Sequence, residues 1–251
     1  MPGLPPALTY PAPHVAELRL RRPDGANRLE PADLTAIIDH LAEVEAKADI
    51  HVLLVTAEGR SFCAGFDLNA LTSEGATGQG RHGGERNFER AANALAATRP
   101  VTIAVIDGNV FGGGTDIALA CDLRIGTPRA RMQMPAAKIG VPLYASALQR
   151  YVSRLGIDTA KRLIFLGETI DAAEMHRIGM LTELVADGAA DARARAIAAE
   201  VATLPPKPIA AMKAAMNAAA DTDLSELRAR LDAAYDAAEI ARRVAALRAK
   251  R

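Results

Sequence analysis

Two glycine-bearing turns carry the residues best suited to chemistry. The first is Ser61-Phe62-Cys63-Ala64-Gly65-Phe66-Asp67-Leu68, and the second runs from Asp107-Gly108 through Gly112-Gly113-Gly114 to Thr115-Asp116. Successive glycines let the backbone approach a ligand closely. A helix beginning among them offers unpaired N–H groups and positive dipole character. Such a turn can hold an anion, or a carbonyl oxygen becoming one. A triphosphate loop would need Gly-x-x-x-x-Gly-Lys-Ser/Thr, whereas Thr115-Asp116 follows here, and the acid would repel the ligand. The dinucleotide fingerprint Gly-x-Gly-x-x-Gly also fails, because the glycines fall at 108, 112, 113 and 114. On this segment alone a plain strand-to-helix turn stays open. Taken together, two such turns can each aim one backbone N–H at the same oxygen, the geometry of an oxyanion hole.

The elements that must position these turns read clearly. Val101 to Ile106 is a β-branched buried strand, and an apolar helix follows the glycines through Cys121. His14 to Arg21 alternates as a strand, Pro31 begins a helix that runs to Lys47, and 51–57 is a buried strand. From Thr72 to Gly84 the chain is rich in Gly, Ser, Thr and Gln and reads as a loop able to act as a lid. A helix from about Glu85 to Ala97 returns to the second turn. After a strand at 122–126, a loop over Ala136–Tyr144 holds Gly140 and Pro142 as breakers. Helices are predicted at 145–155, 158–166, 171–178, 189–203, 206–219 and 224–249, with a short strand at 181–185. Alternating β and α followed by helices predicts an α/β core over 1–188. The helical region 189–251 is then expected to cover the site or join subunits.

Composition narrows the function classes. The chain has 251 residues, half of them apolar, so it can bury a core without staples. Lys+Arg and Asp+Glu are equal at 30 each, which gives no reason to expect nucleic acid as a partner. Cys63 and Cys121 form neither a disulfide framework nor a metal motif, which suits a reducing compartment. His14, His40, His51 and His176 lack ligand spacing, so no metal is expected. No run of eighteen apolar residues spans a membrane. The start, Met1 to Leu8, lacks a secretory pattern and is expected to be a loosely ordered lead-in. The expected setting is the cytoplasm.

With its motifs in this order, the sequence resembles the crotonase superfamily, the enoyl-CoA hydratase/isomerase group. The resemblance rests on the two turns, on R-P-D-G-A-N-R-L at 22–29, on I-G-V-P-L-Y-A-S-A-L-Q-R at 139–150, and on 160–185. It covers about residues 14–215. It implies an α/β, crotonase-like spiral of ββα units with a C-terminal helical region, assembled as a homotrimer or dimer of trimers. It also implies an acyl-CoA thioester substrate, with coenzyme A entering as part of the substrate rather than as a cofactor. The N–H groups of Phe66 and Gly113 would grip the thioester carbonyl as an enolate forms. Ala64, Gly65, Asp67, Leu68, Gly112 and Gly114 would line the substrate and its CoA.

The resemblance also exposes departures. Hydratases of the group deliver water with two glutamates, and the matching positions here are Asp116 and Ala136. One acid is shorter by a methylene and the other is absent. A general acid–base group contributes about 10²–10⁴ in rate, so isomerisation or decarboxylation is expected over efficient hydration. Asp116 is either an acid favoured by the helix dipole or a group beside the α-carbon that acts as a base or orients a water. Tyr144 is either a rim tyrosine or a phenol that meets a departing carboxylate or protonates an enolate. Lys138 reads better as a surface residue than as a partner for a substrate carboxylate, and His82 better as a solvated loop residue. The alternative to an enzyme is an acyl-CoA-binding homologue whose catalysis has decayed.

Overall fold

A computed structural model of the protein describes residues 3–67, 79–139, 141 and 143–219. The chain divides into two compact units, Met1–Thr203 and Leu204–Arg251. The first begins with β1 (Leu4–Ala12), β2 (Val15–Arg21), α1 (Pro31–Ala46), β3 (Val52–Ala57), β4 (Ser61–Cys63), α2 (Gln79–Ala97), β5 (Val101–Ile106) and β6 (Asn109–Phe111). It continues with α3 (Gly113–Ala120), β7 (Leu123–Gly126), β8 (Arg131–Gln133), α4 (Ala145–Leu155) and α5 (Ile157–Leu166). It closes with β9 (Thr169–Asp171), α6 (Ala172–Arg177), β10 (Glu183–Leu184) and α7 (Ala190–Ala202). In the second unit the described helix is α8 (Pro206–Ala218), with proline in its first turn.

One sheet has the order β1-β2-β3-β5-β7-β10, parallel from β2 onward and antiparallel at the β1 edge. Its central strands β3 and β5 are buried on both faces, which is why they read as continuous apolar runs. Val15, Val52, Leu54, Ile103, Val105 and Ile125 face Ala190, Ala194, Ile197 and Ala198 of α7. The alternate residues, among them Leu53, Val55, Ala104 and Ile106, join the larger core with α1, α2 and α3. A second sheet, β4-β6-β8-β9, is made of three-residue strands. Both glycine-bearing turns spring from it.

Three expectations change. Met1 to Leu8 was expected to be a loose lead-in, but Leu4–Ala12 forms an edge strand, where proline's missing donor costs no ladder bond. The helix after the first turn begins at Gln79, so 79–84 and with them the backbone of His82 are helical, not loop. α7 belongs with the core rather than with a separate region from 189, because its alanine-rich stripe seats on the sheet. Leu68, the 72–78 part of the expected loop, Gly140, Pro142 and the helix expected at 224–249 lie outside the described residues. Among the described residues no helix is long and apolar enough to cross a membrane.

The sheet also buries a carboxylate. Glu17 on β2 is 2 % exposed and receives Arg19 (2.6 Å), the Thr56 hydroxyl (2.8 Å) and Arg195 of α7 (2.9 Å). Burial raises its pKa, but the hydrogen bonds from Arg19, Thr56 and Arg195 outweigh that and leave it below the ordinary 4.5. A folded value below the unfolded one means stability that is present above pH 4.5 and lost as pH falls through the lowered folded value. Glu17→Gln is therefore expected to flatten the acid limb of a urea-midpoint profile taken from about pH 6 to pH 3.

Candidate active site

The first turn is held in place by its neighbour in sequence space, the 22–29 segment. Asn27, 1 % exposed, accepts the Arg22 N–H (2.8 Å) and donates to the carbonyls of Glu58 (2.8 Å) and Ser61 (2.7 Å). That clamp brings Leu29 beside Phe66, where Leu29 N–H donates to Gly65 (2.7 Å) and Asp67 N–H donates to Leu29 (3.0 Å). In such a parallel bridge the N–H of Phe66 points to the other side.

The second turn comes from β6. Gly112, at φ +52°, donates to Gln133 (2.9 Å), and its carbonyl accepts the Thr115 N–H (3.0 Å) and hydroxyl (2.6 Å). Gly113 then opens α3, where the first N–H groups have no partner within the helix. The two turns touch. A Cβ placed on Gly65 would lie 2.5 Å from the Gly113 nitrogen, and one on Gly114 would collide with the Cys63 carbonyl. Among the described residues neither the Phe66 nor the Gly113 N–H has an acceptor. Ala64, Gly65, Phe66, Asp67, Gly112, Gly113 and Gly114 are thus brought together.

Asp116 lies one helical turn beyond Gly113 and is 1 % exposed. Arg150 of α4 grips it with both arms of its fork, Nε to Oδ1 at 2.8 Å and Nη2 to Oδ2 at 2.7 Å. The Tyr144 hydroxyl, just before α4, donates to the same Oδ2. The third nitrogen of Arg150, Nη1, donates to Asn93 of α2 at 2.7 Å. Burial, then the charge of Asp116 and the hydrogen bond to it, push the Tyr144 pKa well above its usual 10. Tyr144 therefore stays a neutral phenol. Burial works against the charge of Arg150, but the Asp116 carboxylate outweighs it and holds the guanidinium above its ordinary value. Beneath them Tyr151, fully buried, shares a hydrogen bond with the Thr115 hydroxyl.

The remaining candidates fall away from this centre. Lys138 is exposed and donates to the Gly167 carbonyl (2.7 Å) at the C-terminus of α5, where a cation is favoured. Ala136 is 6 % exposed and joins the core. Sequence reasoning brought Asp116 and Tyr144 forward but missed Arg150 and Asn93. A signal existed for Arg150, which interrupts the buried stripe Ala147, Tyr151 and Leu155 on α4. A charge on a buried face needs a partner.

The enoyl-CoA hydratase/isomerase family matches residues 12–240. The chain belongs to that family. Its members act on acyl-CoA thioesters. The human mitochondrial enoyl-CoA hydratase domain-containing protein 2 is 32% identical over 226 residues, covering 87% of this chain and 76% of that protein. Mevalonyl-coenzyme A hydratase SIDH of Beauveria bassiana is 33% identical over 72% of this chain and 67% of its own length. Among solved structures, Pseudomonas aeruginosa DspI matches with TM-score 0.88 and 32% identity over 98% of this chain and 94% of that one. An enoyl-CoA hydratase from Bacillus anthracis matches with TM-score 0.84 and 28% identity, covering 92% and 90%. The crotonase-like fold expected from the family's motifs is the fold observed.

Proposed function

We propose that the protein is an enzyme that takes an acyl-CoA thioester to an enolate, by decarboxylation or double-bond isomerisation rather than efficient hydration. The thioester oxygen would lie between the N–H groups of Phe66 and Gly113, which gain strength as negative charge develops there. Coenzyme A arrives with the substrate, and the chemistry calls for no separate cofactor.

The observation that carries this reading is the commitment of Asp116. Both its oxygens are engaged, by the Arg150 fork and by the Tyr144 hydroxyl. Its oxygens are already turned to these partners rather than to a substrate, and Ala136 brings no second acid. Decarboxylation asks least of such a site. The bond between the α-carbon and the leaving carboxylate breaks, its electron pair passes into the enolate, and carbon dioxide departs. The α-carbon then takes a proton from water, and the Tyr144 phenol, which stays neutral, would turn its hydroxyl from Asp116 to donate a hydrogen bond to the departing carboxylate. Isomerisation needs in addition a group that removes a proton.

A panel of enoyl-, dienoyl- and malonyl-type CoA thioesters tests the reading. Expected is carbon dioxide release or double-bond migration well above the rate of hydration, falling about 10²-fold in Tyr144→Phe. Fast hydration would reverse the preference. Binding of every thioester with turnover of none would favour the second reading, an acyl-CoA binder with decayed catalysis, which Ala136 and the locked Asp116 also support.

Self-association as a trimer or dimer of trimers is part of the proposal. It is supported by large apolar side chains left exposed on α4 and α5, namely Leu148, Val152, Ile157, Phe165 and Leu166. A cytoplasmic setting is supported by Cys63 and Cys121, both buried and neither in a disulfide.

A further inference from the structure

The ring of Phe88, on α2, touches both residues whose N–H groups have no acceptor among the described residues. It meets the Phe66 ring edge-on, with centroids 6.3 Å apart and planes at 88°. The tip of the same ring sits against Gly113. The place a Cβ on Gly113 would take is 2.5 Å from Phe88 Cζ, 2.9 Å from Cε1 and 3.0 Å from Cε2. Phe88 is itself 4 % exposed, so it cannot shift without opening a cavity. Gly65 presses on the Gly113 nitrogen from the first turn. Gly113 is thereby held between an aromatic edge and the neighbouring backbone, with Phe66 attached to both.

We infer that Phe88 is a positioning residue, which sets the spacing and direction of the Phe66 and Gly113 N–H groups toward a thioester carbonyl. The inference rests on the proposed placing of that carbonyl. Hydrogen-bond strength depends steeply on distance and angle, and donors fixed in advance act without reorganising. A rigid ring with no polar atom of its own fixes two backbone donors and offers them no competing acceptor. The edge-to-face contact adds a direction that an aliphatic side chain of equal volume would lack. The same helix carries Asn93, bonded to Arg150, so α2 braces the carbonyl side and the Asp116 side of the site alike.

The test uses a four-carbon enoyl-CoA, isotopically labelled at its thioester carbonyl, bound to the full chain and read by difference infrared spectroscopy. In the wild-type protein the carbonyl stretch is expected below its value for free thioester, as two donors polarise the bond. Phe88→Ala is expected to return the band most of the way to the free value. It should also lower kcat on the preferred panel substrate by about 10²-fold, with KM moving by less than about threefold. Phe88→Leu should fall between and carries the comparison if the alanine variant does not fold. Leu95→Ala, which removes a buried core side chain from the same helix, should lose stability while leaving the band in place. A Phe88 variant that binds thioester and keeps the wild-type band overturns the inference while leaving the carbonyl site standing. Wild-type protein that binds thioester without any band shift, or does not bind it, overturns the carbonyl site and the inference together.

Discussion

Gly65→Ala is expected to lower kcat/KM on the preferred thioester by about 10²–10³, the loss that follows removal of one oxyanion donor. Two effects combine at this residue. Its φ of +85° lies where an L side chain is strained, and its Cβ would stand 2.5 Å from the Gly113 nitrogen. The second effect matters more, because the obstacle is backbone and cannot rotate away. The turns must separate, and the Phe66 and Gly113 N–H groups no longer converge. Gly188→Ala is the control, since Gly188 also has positive φ (+75°) but meets nothing within 4 Å. It should cost stability alone. Steady-state kinetics beside urea unfolding for the two variants separate strain from collision, and equal kinetic losses in both would refute the account.

Arg150→Met is expected to destabilise the protein by about 3–5 kcal/mol, because it strands the Asp116 carboxylate in a buried site. The lone tyrosine hydroxyl cannot replace a bidentate cation. Adding Asp116→Asn should restore much of the loss, since the amide still accepts from Tyr144 and carries no charge to desolvate. Urea unfolding of the two single variants and the double variant gives a coupling energy through a double-mutant cycle. Additive losses would show that the pair is not the source of the effect. Activity offers a second comparison. If Asp116 is held by Arg150 and does not serve as base, the double variant keeps a measurable part of any decarboxylation and of any isomerisation alike, and loss of isomerisation alone would make Asp116 the base.

Much of the fold was legible because the long elements have strong periods. Val101–Ile106 and Ala145–Leu155 match their predicted bounds, and α1 and β3 differ by one residue. β1 was missed because Met1 to Leu8 carries no apolar alternation, although an edge strand also tolerates its prolines. The strands of the second sheet are three residues long, too short for alternation to show. The turn residues of the site were legible through glycine, whose chemistry is local. The Arg150–Asp116–Tyr144 cluster and its Asn93 support depend on contacts across 28 to 57 residues of chain, which no local pattern records.

The pair of N–H groups at Phe66 and Gly113, without an acceptor among the described residues, belongs to the main chain, which every residue type except proline possesses. Point changes can therefore rewrite positions 116, 136, 144 and 150 without deleting these donors, provided the two turns keep their shape. On the proposed reading, the grip on substrate and the choice of reaction are inherited separately: the first as a contour guarded by glycines and an aromatic edge, the second as an alphabet of replaceable side chains. A lineage carrying this scaffold can lose one activity and acquire another with few substitutions, because the costly part of the site survives the interval between them.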